Sequence, residues 1–520
     1  MKSPWKITAW IVAVYLALVG GGLVYGRLTA GQSDPWKSPA LLALKARLET
    51  APKDEALKKE IRGMDARLRE RFRYRLWLDK SGAWLLLAGA LALVVASRKA
   101  MKEVGEIKFE TAKERSIWPV AASGLLVAVA LAGVSIGLAP RGEAAAPQKK
   151  AVAEWPRFRG SDGSGYVAGS NGVPVELAWK AAIPLAGNSS PIVCGGRVFV
   201  SGGAAKERAV FCFDANTGEQ KWRTDITNIA SGEVFEGTSY AAPTMAADGE
   251  RVYVIFTTGE LAALDLEGAI VWTKNLGPLK NSYGHASSLA VWQDRVIVQL
   301  DQEDGGATRS KLMAFDGASG EMAWAQARPV EASWSTPVVA AAGAKTEIVT
   351  TGGQWVIAYE ANAGTELWRT ILLQNEIVPS PIFAGGMIFV VSPSEKLVAL
   401  RPDGSVAWTN DNNIPDITTP AADVNSIYTV TSMGVVTCFA STNGAKVWEN
   451  DLKTEVKASP MIVGRELLVV TADGTAIIAE TGAAWKEKRR IKMEDQFTAS
   501  PAYAQGRLYL RGATNLFCFK

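Results

Sequence analysis

Few side chains in this 520-residue chain are of a type and spacing to do chemistry. There is one histidine, His285, and there are four cysteines, Cys194, Cys212, Cys438 and Cys518, with no C-x-x-C pair. A zinc site or a c-type haem attachment needs clustered Cys and His, so neither is expected. A lone His285 reads as a hydrogen-bonded loop histidine rather than a general base. Gly160…Gly163-Ser-Gly165 has neither the spacing nor the strand-to-helix setting of a phosphate-cradling loop. The acidic run Asp301-Gln-Glu303-Asp304-Gly-Gly offers oxygen ligands for calcium but misses the EF-hand pattern, and it reads as a solvated hairpin tip.

The elements that must position these residues fall into two unlike parts. Residues 1–151 carry 25 Lys/Arg against 13 Asp/Glu, whereas 152–520 carry 31 against 39. The larger part is therefore net acidic and would repel phosphate, which argues against a nucleic-acid partner. Within 1–138, the stretches 5–26, 82–97 and 117–138 are apolar enough to be transmembrane helices. The first reads as an anchor rather than a signal peptide, because it is long and no A-x-A cleavage site follows. Residues 27–81 form a polar helical loop. Its helices over 38–78 either cover each other as a hairpin or support self-association through the stripe Leu57, Ile61, Met64, Leu68 and Phe72. The positive-inside rule conflicts here: six Lys/Arg in 98–117 point to the cytoplasm, but so do fourteen in 27–81.

After an Ala/Pro/Lys linker over 139–154, residues 155–520 repeat with a period of about 40, as propeller blades do. One part of the unit is Gly-x-x-x-Trp, ending at Trp222, Trp272, Trp324, Trp368, Trp408 and Trp448, with a version one residue shorter at Gly482…Trp485. The other opens a strand: Ser190-Pro191, Ala242-Pro243, Ser287-Ser288, Thr336-Pro337, Ser380-Pro381, Thr419-Pro420, Ser459-Pro460 and Ser500-Pro501. Between them lie β-branched runs bounded by turn residues, which predict short strands. The glycine supplies positive φ for a tight turn, and the tryptophan wedges between sheets. An orphan fourth strand around Trp179 precedes the first unit, and a third strand, Asn515–Lys520, lacks its own fourth. Pairing the two predicts an all-β, eight-bladed propeller with no open edge at the closure. Cys212, Cys438 and Cys518 then share one third-strand slot in three blades. They are expected to be separate buried thiols.

The fullest unit, Phe213-Asp-Ala-Asn-Thr-Gly218-Glu-Gln-Lys-Trp222, resembles the tryptophan-docking repeat of the PQQ-like (quinoprotein-type) β-propellers, and Trp155-Pro-Arg-Phe-Arg-Gly160 resembles their lead-in segment. The resemblance implies one of two functions. One is a non-catalytic scaffold like the BamB subunit of the outer-membrane assembly machine. The other is a dehydrogenase with PQQ, calcium, an aspartate base and commonly a vicinal disulfide. The chain has no adjacent cysteines and its blades carry no long insertion. The expectation is therefore a BamB-like, protein-binding scaffold of the bacterial cell envelope with no catalytic residue, cofactor or metal. It is anchored in the inner membrane, with the propeller in the periplasm. The alternative is a PQQ-dependent dehydrogenase feeding electrons into the membrane, with PQQ and calcium as cofactors. In either case the loops before the first strands gather at one mouth of the channel. They bring Asn188, Glu236, Tyr240, Tyr283, His285, Trp334, Glu376, Asp416, Lys457 and Phe497 as candidates. Trp179, Trp222, Trp272, Trp324, Trp368, Trp408, Trp448 and Trp485 are the expected blade-docking residues.

Overall fold

A computed structural model describes residues 151–520 other than 153, 228–233, 236, 278, 304–308, 343–344 and 375, together with 12, 14–16, 90 and 92. Two compact units divide the chain at Pro147/Gln148. In the first, the described residues Val12, Val14, Tyr15, Leu16, Ala90 and Ala92 are helical. Among the described residues no helix is long and apolar enough to cross a membrane. Nearly all of 5–26 and 82–97, and the whole of 27–81 and 117–138, lie outside them.

The second unit is built of eight sheets, each containing a four-stranded antiparallel blade. Blade 1 runs Ile192–Cys194, Arg197–Ala204, Glu207–Asp214, Gln220–Asp225. Blades 2 to 7 repeat the order over 246–275, 290–327, 338–371, 382–410, 421–451 and 461–492. Blade 8 takes Ala502–Ala504, Arg507–Arg511 and Asn515–Phe519 from one end of the propeller sequence and Leu177–Ala182 from the other. Trp179 lies opposite Cys518 and Lys180 opposite Phe517, so the ring closes as its sequence predicts. The reason for eight interlocking blades is visible in burial. The second strand Arg251–Ile255 is buried almost throughout, whereas an outer strand such as Gln220–Asp225 alternates between exposed and half-buried. Sheets buried on both faces must stack on neighbours, and the apolar clusters accordingly pair blades 1 with 2, 2 with 3, and so on round the ring.

Each docking tryptophan reaches the turn of the following blade. The indole N–H of Trp222 donates to Leu266 O (3.0 Å), that of Trp272 to Gly317 O (2.9 Å) and that of Trp408 to Ser441 O (2.9 Å). The ring lies flat on the next blade's turn glycine, which therefore serves twice. Gly364 has φ +69°, and a Cβ there would stand 2.3 Å from Trp324. Gly364→Ala is expected to cost about 2–4 kcal/mol, combining left-handed backbone strain with overpacking. Gly386→Ala, at φ +78° in open space, carries only the backbone penalty of about 1 kcal/mol. Denaturant midpoints of the two variants should separate accordingly; equal midpoints would refute the indole seat.

The structure corrects three expectations. Trp485 does not occupy a docking position. Arg489 lies opposite Ile478 where the other blades place tryptophan, and Trp485 packs edge-on against Trp448 instead (5.6 Å, 67°). The next blade explains this: in blade 8 the third and fourth strands are not joined by a hairpin, so there is no turn glycine on which blade 7 could seat an indole. Secondly, the strand-opening residue of blade 2 is Thr244, not Ala242. Eight N–H groups each donate to the next hydroxyl, Ser190 to Thr244, then Ser288, Thr336, Ser380, Thr419, Ser459, Ser500 and back to Ser190, all at 2.9–3.0 Å. This closed hydroxyl girdle is why the slot takes Ser or Thr, and proline after six of them holds the backbone extended. Thirdly, Asp301 is fully buried rather than at a solvated tip, as described below.

Candidate functional site at the channel mouth

Loops leading into the first strands share a face with the turns between second and third strands. Their backbones are bonded directly: Thr257 N to Tyr240 O, His285 N to Thr257 O, Val456 N to Ser432 O and Phe497 N to Ala472 O, at 2.9–3.1 Å. The opposite end is closed by the lead-in segment. Trp155 bridges Val193 of blade 1, Pro156 O accepts from Ala247 of blade 2, and Ser164 O accepts from Ala422 of blade 6. Tyr166–Val167 then adds a parallel strand to Met461–Val463 of blade 7. Arg159 ties this plug to the wall, donating from Nη1 to Pro460 O (2.8 Å) and from Nη2 to Pro420 O (2.6 Å). Burial pushes its pKa down to about 9, with Asp162 partly offsetting the shift. Gly160, Gly163 and Gly165, all at positive φ, make the turns of this plug. On that closed face a cavity of about 290 Å³ is walled by Trp155, Tyr166 and Tyr503.

The ten mouth candidates do not converge as one set. Glu236 lies outside the described residues. Phe497 is core, packed against Phe517 at 5.7 Å, and is 1% exposed. Lys457 pairs with Glu455 (3.2 Å), and Glu376 is exposed in another blade. Asp416 spends its oxygens on the N–H (2.9 Å) and hydroxyl of Ser432. Asn188 Nδ2 donates to Gly237 O (3.1 Å) and Thr238 O (3.0 Å), joining two mouth loops. Tyr240 covers the buried Arg208 guanidinium at 4.3 Å. His285 is 1% exposed in its loop, and burial lowers its pKa to about 4, with the Ser287 backbone pulling the other way. It is a neutral, buried loop group near pH 7.

What does assemble is aromatic. Tyr283 meets Phe235 edge-to-face (5.3 Å, 89°) and Trp334 likewise (5.4 Å, 68°). Trp334 is held by its N–H, which reaches Asn281 Oδ1 (3.1 Å) and Gly284 O (2.9 Å). Phe235 is 54% and Tyr283 40% exposed. Phe235 carries no repeat signal, so only its place beside the mouth reveals it. A calcium-bridged quinone needs convergent carboxylates. Among the described residues no group of three or more Cys, His, Asp or Glu stands close enough to hold an ion, and Asp416 and Glu376 belong to separate loops. The four cysteines are all free and buried, with Cys194 and Cys212 pushed up to about 12 by desolvation, so none is a ready nucleophile.

Fold and site together define an eight-bladed propeller closed at one end and aromatic at the other. The family described as outer membrane protein assembly factor BamB matches residues 158–303, 308–428 and 403–517, and the chain belongs to that family. The BamB of Burkholderia pseudomallei is 24% identical over 345 residues, covering 58% of this chain and 86% of that protein. Among solved structures, BamB from Moraxella catarrhalis superposes with a TM-score of 0.50 at 16% identity, covering 66% of this chain and 99% of that one. Quinohemoprotein alcohol dehydrogenase from Comamonas testosteroni superposes at 0.54 and 14%, covering 71% and 80%. At such identities the superpositions speak to fold alone.

Proposed function

We propose that this protein is a non-catalytic, protein-binding propeller of the bacterial cell envelope, anchored in the inner membrane by its N-terminal segments, with the propeller in the periplasm. The observation that carries the binding role is the Phe235–Tyr283–Trp334 cluster. Rigid aromatics exposed on a braced scaffold are the usual anchors of protein interfaces, at low entropic cost on binding. Membership of the assembly-factor family supports it, as do an Asp416 carboxylate committed to Ser432 and thiols sealed in blades. The anchor is supported by the apolar lengths of 5–26, 82–97 and 117–138 and by the helical state of Val12, Val14–Leu16, Ala90 and Ala92.

The test is a photo-crosslinker at Tyr283 in the full-length chain in cells. Crosslinks to an envelope protein are expected, and the combined Phe235→Ala, Tyr283→Ala variant should lose about tenfold or more of that partner in a pull-down, as hot-spot truncation does. Undiminished capture by the double variant would refute the aromatic docking site. Reduction of a dye by full-length protein given PQQ, calcium and an alcohol would replace the scaffold reading with the dehydrogenase one.

A further inference from the structure

Three arginines are fully buried on the mouth side of the propeller: Arg208 and Arg511 at 1% exposure and Arg328 at 0%. Two of them face carboxylates. Arg328 Nε and Nη2 grip Asp301 at 2.7 and 3.1 Å, and Arg208 Nε stands 3.7 Å from Glu260. Arg511 faces none. Its Nη1 donates to Ser189 O (3.1 Å) and Ser189 Oγ, while Nε and Nη2 have no partner among the described residues. The nearby Asp495 gives its oxygens to Ala513, Thr514 and Asn515.

Strand register makes the comparison internal. Ala290 pairs with Ile297 in blade 3 as Ala502 pairs with Tyr509 in blade 8, so Arg511 occupies the place of Gln299, and Ala513 that of Asp301. The blade 8–blade 1 junction thus has a cation where the blade 3–blade 4 junction has Gln299, and alanine where that junction has its acid. Gly187 makes room for this cation, since a Cβ there would lie 2.5 Å from Nη2. A guanidinium cannot shed its charge readily, and an uncompensated buried charge is costly. We propose that this junction binds a small monovalent anion, a halide or a short carboxylate, on the Nε/Nη2 edge of Arg511. That edge presents two parallel N–H donors, and one negative charge balances the one left over. A divalent oxyanion would reverse the imbalance and bring a larger dehydration cost.

The experiment is thermal unfolding of the full-length protein at fixed ionic strength, exchanging gluconate for chloride in one arm and for formate in another. A saturable rise in Tm is expected in at least one arm, following mass action, and the arm that responds identifies the anion class. Arg511→Met should abolish the response, whereas Arg328→Met should lower Tm but keep it. An equal response in R511M, or none in the parent, overturns the proposal. Should R511M fail to fold, crystals of the parent soaked in bromide decide: an anomalous peak beside Arg511 supports the site, and an ordered Arg511 with no peak refutes it.

Discussion

Asp301→Ala is expected to lower unfolding free energy by about 3–5 kcal/mol, among the largest losses any single polar substitution should cause in this fold. The carboxylate is the hub of a sealed network. It accepts from Arg328 at two points, from Ser333 Oγ (2.6 Å) and from Gln299 Nε2 (2.8 Å), and both charged side chains are 0% exposed. Burial works to lower the Arg328 pKa, and Asp301 together with Tyr359 more than offsets it, leaving the guanidinium above its ordinary value. Removing the acid therefore strands a cation that cannot neutralise itself. Removing the base is milder, because the carboxyl keeps its hydrogen bonds from Ser333 and Gln299. Arg328→Met should therefore lose less stability than Asp301→Ala. Guanidinium-chloride midpoints of both variants measure this. Equal losses would show that the stranded guanidinium is not the governing cost.

How much of this was legible beforehand depends on whether the signal is local. Gly-x-x-x-Trp is local: one turn and one strand contain both residues, so blade number and closing strand follow from sequence. The seat of each indole is not local, because the glycine it covers belongs to the next blade. That is why Trp485 reads as a docking residue although Arg489 holds the position. The hydroxyl girdle is half-legible, since proline marks most of its members but in blade 2 precedes Thr244 rather than following it. Asp301 misleads because an acidic run beside glycines looks like a tip. Only Arg328, supplied by the following loop, makes burial of the first carboxylate tolerable. The mouth candidates fail for a related reason. Sequence gives the loops to which they belong, but inward or outward direction is set by contacts with neighbouring blades. Thus Phe497 turns into the core, His285 is buried, and Phe235 stands exposed unannounced.

Trp179→Ala is expected to cost about 3–5 kcal/mol, the usual range for deleting a buried indole, and to act mainly on unfolding. Trp179 alone among the docking tryptophans belongs to a blade assembled from both ends of the propeller sequence. Its N–H reaches Ala215 O (3.2 Å) and its ring lies on Gly218 of blade 1, so it couples blade 8 to blade 1 as well as holding Leu177–Ala182 on Asn515–Phe519. Backbone bonds between Glu176 and Lys520 (3.2 and 2.8 Å) and from Ile183 N–H to Thr514 O (2.9 Å) add to the tie at that edge. Contacts spanning so much sequence carry a large loop-closure cost and form late, whereas Trp272 joins two blades adjacent in sequence. A contact absent from the folding transition state changes the unfolding rate and leaves the folding rate nearly untouched. W179A should therefore unfold about a hundredfold faster or more with little change in refolding, and Trp272→Ala should slow refolding by a larger share of its own loss. Stopped-flow kinetics on the two variants separate the cases. If W179A slows refolding as much as W272A does, ring closure precedes blade assembly, and the early strand nucleates the wheel instead of locking it.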